Sequence, residues 1–215
     1  MSRAEIKEWS KEKIKGHIWE ILIPIVVASV LTSFSVGYDV IRTSKGLKVS
    51  TGINYGIFFY FVQVGIIWFM IQFINDKEYK FTDIFRFVND YVRIFIVNLL
   101  QLIFVALWTL CFIIPGIIKC FAYALVPYIL GDSKYKNLSY KEVLKKSEEM
   151  MDGHKMDYFV FILSFVGWFI LAVFTLGILL IWLIPYYTTA QVKFLNDIKT
   201  NYEGPVKEKK STKKK

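Results

Sequence analysis

Residues 158–174 read Tyr-Phe-Val-Phe-Ile-Leu-Ser-Phe-Val-Gly-Trp-Phe-Ile-Leu-Ala-Val-Phe, an apolar run without a single charge. A short turn, Thr175-Leu176-Gly177, joins it to a second run over residues 178–195, which contains Pro185. A perpendicular crossing of a bilayer takes about 20 helical residues. Lipid offers the backbone no hydrogen-bond partner, so such runs fold as helices or as closed barrels. The runs are continuous rather than alternating, which argues against a barrel.

The same pattern recurs towards the N-terminus, at about residues 18–41, 53–74 and 94–114. Pro24 sits near the start of the first run, and Pro115-Gly116 closes the third as a tight turn. A further run, 117–131, is either a full crossing that continues through Asp132 or a partial helix completing a hairpin. The chain therefore reads as all-α: a polytopic membrane helix bundle of about six transmembrane helices with short interfacial amphipathic helices. Its parts are a cytoplasmic amphipathic helix (1–17), a membrane domain (18–202) and a disordered basic cytoplasmic tail (203–215).

Between the runs lie polar segments with their own periodicity. Ser2-Arg3-Ala4-Glu5 and Ser139-Tyr140-Lys141-Glu142 have capping-box spacing. The first opens a helix with Ile6, Trp9 and Ile14 on one side. The second opens a helix with Val143, Leu144, Ser147 and Met151 on one face. In residues 75–93, Phe81, Ile84, Phe85, Val88 and Tyr91 recur at α-helical spacing, as on an interfacial helix. The segment Arg42–Gly52 reads as a loop.

The composition is 55% hydrophobic and the net charge is +9. Of the 27 basic residues, five fall before the first run, four in residues 75–93, six in residues 133–157 and eight after the fifth turn, in 193–215. The alternate connections hold only Arg42, Lys45 and Lys48, and Lys119 lies within a run. By the positive-inside rule both termini are cytoplasmic, in the plasma membrane. The basic segments suit the bilayer and its anionic lipids, and a membrane-protein partner is a further expectation. Nucleic acid is not, because no recognition motif accompanies the charge. The early acidic residues, and the apolar run continuing through Val36, favour a retained first span over a cleaved leader.

No chemistry-bearing pattern appears: no Gly-x-Ser-x-Gly, no His-Glu-x-x-His, no phosphate-cradling glycine loop. Cys111 and Cys120 have no metal-spaced neighbours and read as small hydrophobes. No catalytic residue, metal ligand or cofactor is expected. Glu20, Asp39, Lys119 and Asp132 sit near run ends, where charge reaches headgroups, Lys119 by extending outward. Gln63, Gln72, Asn98 and Gln101 are candidate intramembrane polar contacts, either gluing helices or lining a polar path. His154 marks the turn into the fifth run. Pro115, Pro127, Pro185, Gly116 and Gly177 mark turns or kinks.

The last four runs form two similar hairpins, each with an amphipathic helix, a run, a glycine turn and a run bearing Pro-Tyr, Pro127-Tyr128 or Pro185-Tyr186. The segment Ser147-Glu148-Glu149-Met150-Met151-Asp152-Gly153-His154-Lys155, then Leu163–Trp168, Thr175-Leu176-Gly177-Ile178 and Pro185-Tyr186, resembles the bacterial membrane family catalogued as domain of unknown function 975. Ile114-Pro115-Gly116-Ile117-Ile118 and Tyr128–Asp132 fit it too. The positions of that pattern are Pro115, Gly116, Asp132, Ser147, Gly153, His154 and Lys155, then Gly167, Trp168, Thr175, Gly177, Pro185 and Tyr186, all of unknown role. The resemblance implies a multi-spanning protein of the cytoplasmic membrane, typical of low-GC Gram-positive bacteria, and no activity. Two functional expectations follow. The first is a non-enzymatic accessory or modulator protein with a tightly packed centre. The alternative is a permease for a small molecule or lipid, with a polar cavity lined by some of the four amides.

Overall fold

A computed structural model describes residues 2–32, 35–42, 48–54 and 60–203. The centre of the Arg42–Gly52 connection and the tail after Glu203 lie outside the described residues. The element order is α1 (Arg3–Lys13), α2 (Ile18–Thr32), β1 (Ser35–Arg42), β2 (Lys48–Asn54), α3 (Tyr60–Ile74), a 3-10 segment (Phe81–Asp90), α4 (Tyr91–Cys111), α5 (Ile113–Ala122), α6 (Val126–Leu130), a 3-10 turn (Ser133–Tyr135), α7 (Tyr140–Met150), α8 (Lys155–Phe174) and α9 (Leu180–Glu203).

Both capping boxes form. Ser2 Oγ accepts from the Glu5 N–H while Glu5 accepts from the Ser2 N–H, and Ser139 and Glu142 repeat the exchange. Each satisfies orphan donors at a helix start and places a carboxylate at the positive end of the dipole. These bonds hold the Glu5 and Glu142 carboxyls below their ordinary values. The hairpin turn also forms as read: Leu176 and Gly177 take φ of 51° and 85°, and the Gly177 N–H caps the Ala172 carbonyl at 2.9 Å.

Four expectations are corrected. The first run does not stay helical to residue 41. α2 stops at Thr32, and β1 pairs antiparallel with β2 from Ser35↔Asn54 to Arg42↔Lys48, with an irregularity between Asp39 and Ile41. The described chain is helical apart from this one two-stranded hairpin, which takes the ends of the first two runs and the edges of the supposed loop. Ser35-Val36-Gly37-Tyr38-Asp39-Val40 alternates polar and apolar, the strand period, and its β-branched and aromatic residues favour the extended chain.

The segment before α4 winds as a 3-10 helix rather than an α-helix. With three residues per turn, positions 84 and 87 share a face. Ile84 and Phe87 are accordingly buried, while Phe81, Phe85 and Val88 are exposed. The tight turn after α4 is at Phe112, whose backbone is extended (φ −158°, ψ 137°), not at Pro115-Gly116. Those two residues lie in the first turn of α5, where proline costs no helical hydrogen bond. Finally, segment 117–131 is not one helix: it breaks at Tyr123–Leu125 into α5 and α6.

The core runs through α3, α6 and α9, with Met70, Ile129, Phe161 and Tyr186 fully buried. Two glycines let elements touch backbone to backbone. A Cβ on Gly65 would stand 2.0 Å from the Ile84 carbonyl oxygen, and one on Gly116 would stand 2.8 Å from Thr109 Cα. Gly65→Ala should therefore force α3 and the 3-10 segment apart and lower stability by about 2 kcal/mol, the scale of core overpacking. Thermal unfolding in mild detergent measures this, and an unchanged midpoint would contradict it.

The outer surface is apolar. Along α8, Met156, Phe159, Leu163, Val166, Ile170 and Val173 form an exposed stripe at helical spacing. At the hairpin tips, Leu110, Phe112, Phe174 and Leu176 are 73–93% exposed. Among the described residues two helical stretches are long and apolar enough to cross a membrane, Phe81–Leu110 and Lys155–Phe174. The helices α2 and α3 have 15 residues each, about 22 Å against a hydrocarbon core of about 30 Å.

Candidate functional site

The helices α2, α3, α4, α6 and α9 line a partly open cavity of about 710 Å³. Of the four amides read in the sequence, Gln63 (α3) and Asn98 (α4) line it. They are joined by Gln191 and Thr188 of α9, by Tyr128 of α6, and by Tyr60 and Ser29. Between these polar groups lie Ile25, Ile66, Leu102 and Val192. Gln63 and Asn98 both face this volume. Gln191 is positioned by a bond from its Nε2 to the Tyr158 hydroxyl at 2.6 Å, which leaves its carbonyl oxygen to accept. Ser29 donates to the Ile25 carbonyl of its own helix.

A second cavity of about 280 Å³ adjoins the first, sharing Ile67, Pro127 and Tyr128. Its lining is polar: Gln72, Lys77, Asp132, Ser133, Asn196 and Lys199. Gln72 therefore belongs to this vestibule. Gln101 lines neither cavity, and its Oε1 is buried without a hydrogen-bond partner among the described residues, so no glue is seen there.

Asp132 organises the vestibule wall. Its Oδ1 accepts from the Lys134 N–H at 2.9 Å and its Oδ2 from Lys199 Nζ at 2.5 Å. Burial alone raises the Asp132 carboxyl, but the Lys199 and Lys134 contacts outweigh it and hold the group below its ordinary value. Lys199 is buried, whereas the Asp132 side chain keeps 30% of its surface exposed, so the pair is half-buried. Nearby, the Arg93 guanidinium donates to the Tyr135 and Lys136 carbonyls, tying the 3-10 turn to α4.

Lys119 does not extend outward from the α4–α5 turn. Its ammonium bonds Glu148 Oε1 of α7 at 2.6 Å, and on the same helix Ser147 Oγ donates to the Ala122 carbonyl at 2.8 Å. Burial raises the Glu148 carboxyl, yet bonds from Lys119 and Tyr123 bring it below its ordinary value. Two adjacent pattern residues thus fasten α7 to α5. Glu20, at the start of α2, accepts from the Tyr79 hydroxyl at 2.8 Å and lies 3.1 Å from His17 Nδ1. Asp39 falls in β1, where the backbone alone is described.

The remaining pattern positions shape the hairpins. Gly153 has φ 76° between α7 and α8, and His154 occupies the N-cap position of α8 without a side-chain capping bond, its Nδ1 4.0 Å from Asp157 Oδ2. Lys155 pairs with Asp152 at 3.4 Å. Thr175 Oγ1 bonds the Ala172 carbonyl and accepts from the Leu179 N–H across the turn. Pro185 and Tyr186 are buried in α9, and the Tyr186 ring lies 5.2 Å from Phe165 and 4.8 Å from Trp182. Trp168 stands 5.9 Å from Trp182. A Cβ at Gly167 would meet nothing within 4 Å, and no contact explains that glycine.

α1 packs on α9 and against the same aromatic surface. Lys7 Nζ donates to the Ser164 carbonyl at 3.2 Å and lies 4.4 Å from the Phe165 ring centre. Burial, with Lys11 nearby, lowers the Lys7 ammonium from its ordinary value. Arg3 reaches Asp157 at the foot of α8.

Sequence reasoning missed Thr188, Gln191 and Lys199. The run Tyr186-Tyr187-Thr188-Thr189-Ala190-Gln191, uncharged and polar after an apolar stretch, is the signal that points to Thr188 and Gln191; no such signal marks Lys199. Among the described residues no three His, Cys, Asp or Glu side chains gather into a group that could hold a metal ion. No curated protein and no solved structure matches the chain. Residues 111–202, from the end of α4 into α9, match the model of the family described as Protein of unknown function (DUF975), the family that the Ser147–Lys155 motif resembles.

Proposed function

We propose that this is a multi-spanning protein of the cytoplasmic membrane that takes a small molecule into its central cavity, as a binder or carrier rather than an enzyme. The observation that carries the reading is the cavity of about 710 Å³ lined by Gln63, Asn98 and Gln191. Its size suits a small-molecule site, which holds a few placed polar groups in a mostly apolar wall. A protein acting only as a packed accessory subunit has no need of three amides facing one cavity, because burying an amide costs desolvation free energy unless it is hydrogen-bonded. The apolar stripe of α8 and the two hairpin tips support membrane embedding. The basic residues of α1, of residues 75–93 and of α7 support placing both termini on the cytoplasmic side, where the lysine-rich segments meet anionic lipid.

Thiol accessibility tests both halves of the reading. In a background with Cys111 and Cys120 replaced by alanine, Gln63→Cys should react with a small water-soluble thiol reagent. A cysteine there that stays inert in folded protein would leave a dry centre and remove the carrier reading. For orientation, Gly46→Cys should label from outside intact cells, whereas Lys136→Cys and Lys209→Cys should label only after permeabilisation. Labelling of position 209 in intact cells would overturn the topology.

A further inference from the structure

We infer that the molecule taken into the cavity is uncharged, with several hydrogen-bonding groups and an apolar flank; this rests on the cavity reading above and names its ligand class. Among the described residues the cavity wall carries no Lys, Arg, Asp, Glu or His side chain. An ion placed there would lose its hydration with no opposite charge to replace it, a cost of several kcal/mol that a paired or hydrated ion avoids.

The adjoining vestibule is lined by the charged residues Lys77, Asp132 and Lys199, and the last two are paired with each other at 2.5 Å. A cation arriving from that side would have to break this pair to gain a carboxylate partner, whereas a neutral molecule passes it without competing.

What the cavity offers instead is amide and hydroxyl chemistry. Gln63 and Asn98 each present a carbonyl acceptor and an NH₂ donor. Gln191, its Nε2 already held by Tyr158, presents an acceptor in a fixed place, and Thr188 adds a hydroxyl. Such a set pairs with alcohols, amides and carbonyls. Ile66 and Leu102 on the same wall cover an apolar portion. A molecule with all its groups polar would leave that side unpartnered.

The test uses the full chain in detergent, with Cys111→Ala and Cys120→Ala, and a reporter at Asn98→Cys. Three methanethiosulfonate reagents of similar size serve as probes: neutral hydroxyethyl, cationic trimethylammonioethyl and anionic sulfonatoethyl. Each rate is divided by that reagent's rate with free 2-mercaptoethanol. The neutral reagent should react about tenfold faster than either ion, the minimum expected from desolvating an unpaired charge. Thr188→Cys, a near-isosteric change, should give the same order and guards against a misfolded Asn98 variant. A charged reagent matching the neutral one at both positions overturns the neutral-ligand inference alone. Silence towards all three reagents at both positions overturns the cavity reading, and this inference with it.

Discussion

Val166→Arg should abolish accumulation of the protein in the membrane. Val166 lies near the middle of α8 on its exposed apolar stripe. An arginine at the centre of a membrane-crossing helix opposes insertion by about 3 kcal/mol, and valine there favours it slightly. Against the narrow stability margin of a folded chain, that penalty removes most of the correctly inserted population. The measurement is the amount of full-length protein in the membrane fraction and its unfolding midpoint in mild detergent. Glu8→Arg, an exposed and already polar position of α1, is the control and should change neither. If Val166→Arg leaves both quantities intact, the stripe faces water.

Lys199→Met should destabilise the folded protein by about 2 kcal/mol, less than the cost of breaking a fully buried pair because the Asp132 carboxylate is partly exposed. It leaves the Asp132 carboxylate with its Lys134 N–H but without its ammonium. Lys199→Met combined with Asp132→Asn should recover much of the loss, because no buried charge then stands alone. The same pair sets a pH dependence. The Asp132 carboxyl is held below its ordinary value, so the folded state binds its proton less readily than the unfolded chain. Its contribution is therefore present above the unfolded carboxyl value of about 4 and is lost as pH falls through the lower folded value. Unfolding midpoints from pH 7 to pH 3 should fall more steeply in the wild type than in the double variant. Parallel profiles would place the acid sensitivity elsewhere.

The helical elements that were legible were those with strong periodic and capping signals. Ser139 and Glu142 mark the start of α7, and Val143, Leu144 and Ser147 mark its buried face. The uncharged run 158–174 gives α8 and Thr175–Gly177 its turn. Errors came where a short-range signal was outvoted by hydropathy. Val36, Tyr38, Val40 and Ile41 extend the apolar content of α2, yet their alternation with Ser35, Gly37 and Asp39 is a strand signal. Ile84 and Phe87 fit a period of three, which an α-helical reading of residues 81–91 passes over. The break at Tyr123–Leu125 has no proline or glycine of its own, and Pro127 follows it in the first turn of α6.

The candidate site was half visible. Gln63 and Asn98 stand out because amides are few in apolar runs, but which face of α3 or α4 meets a cavity depends on how five helices pack. Gln191 and Lys199 lie in the part of α9 where the sequence turns amphipathic, so they read as ordinary surface polarity. The pairing of Asp132 with Lys199, or of Lys119 with Glu148, joins residues 67 and 29 positions apart, and no local pattern encodes either.

The whole account depends on lipid, not water, solvating the outer faces of α4 and α8 and the tips at Phe112 and Leu176. Extraction of native membranes at high pH without detergent tests this most directly. The protein should remain entirely in the membrane pellet and be released, folded, only by detergent. Folded, monodisperse protein in the aqueous supernatant would contradict it.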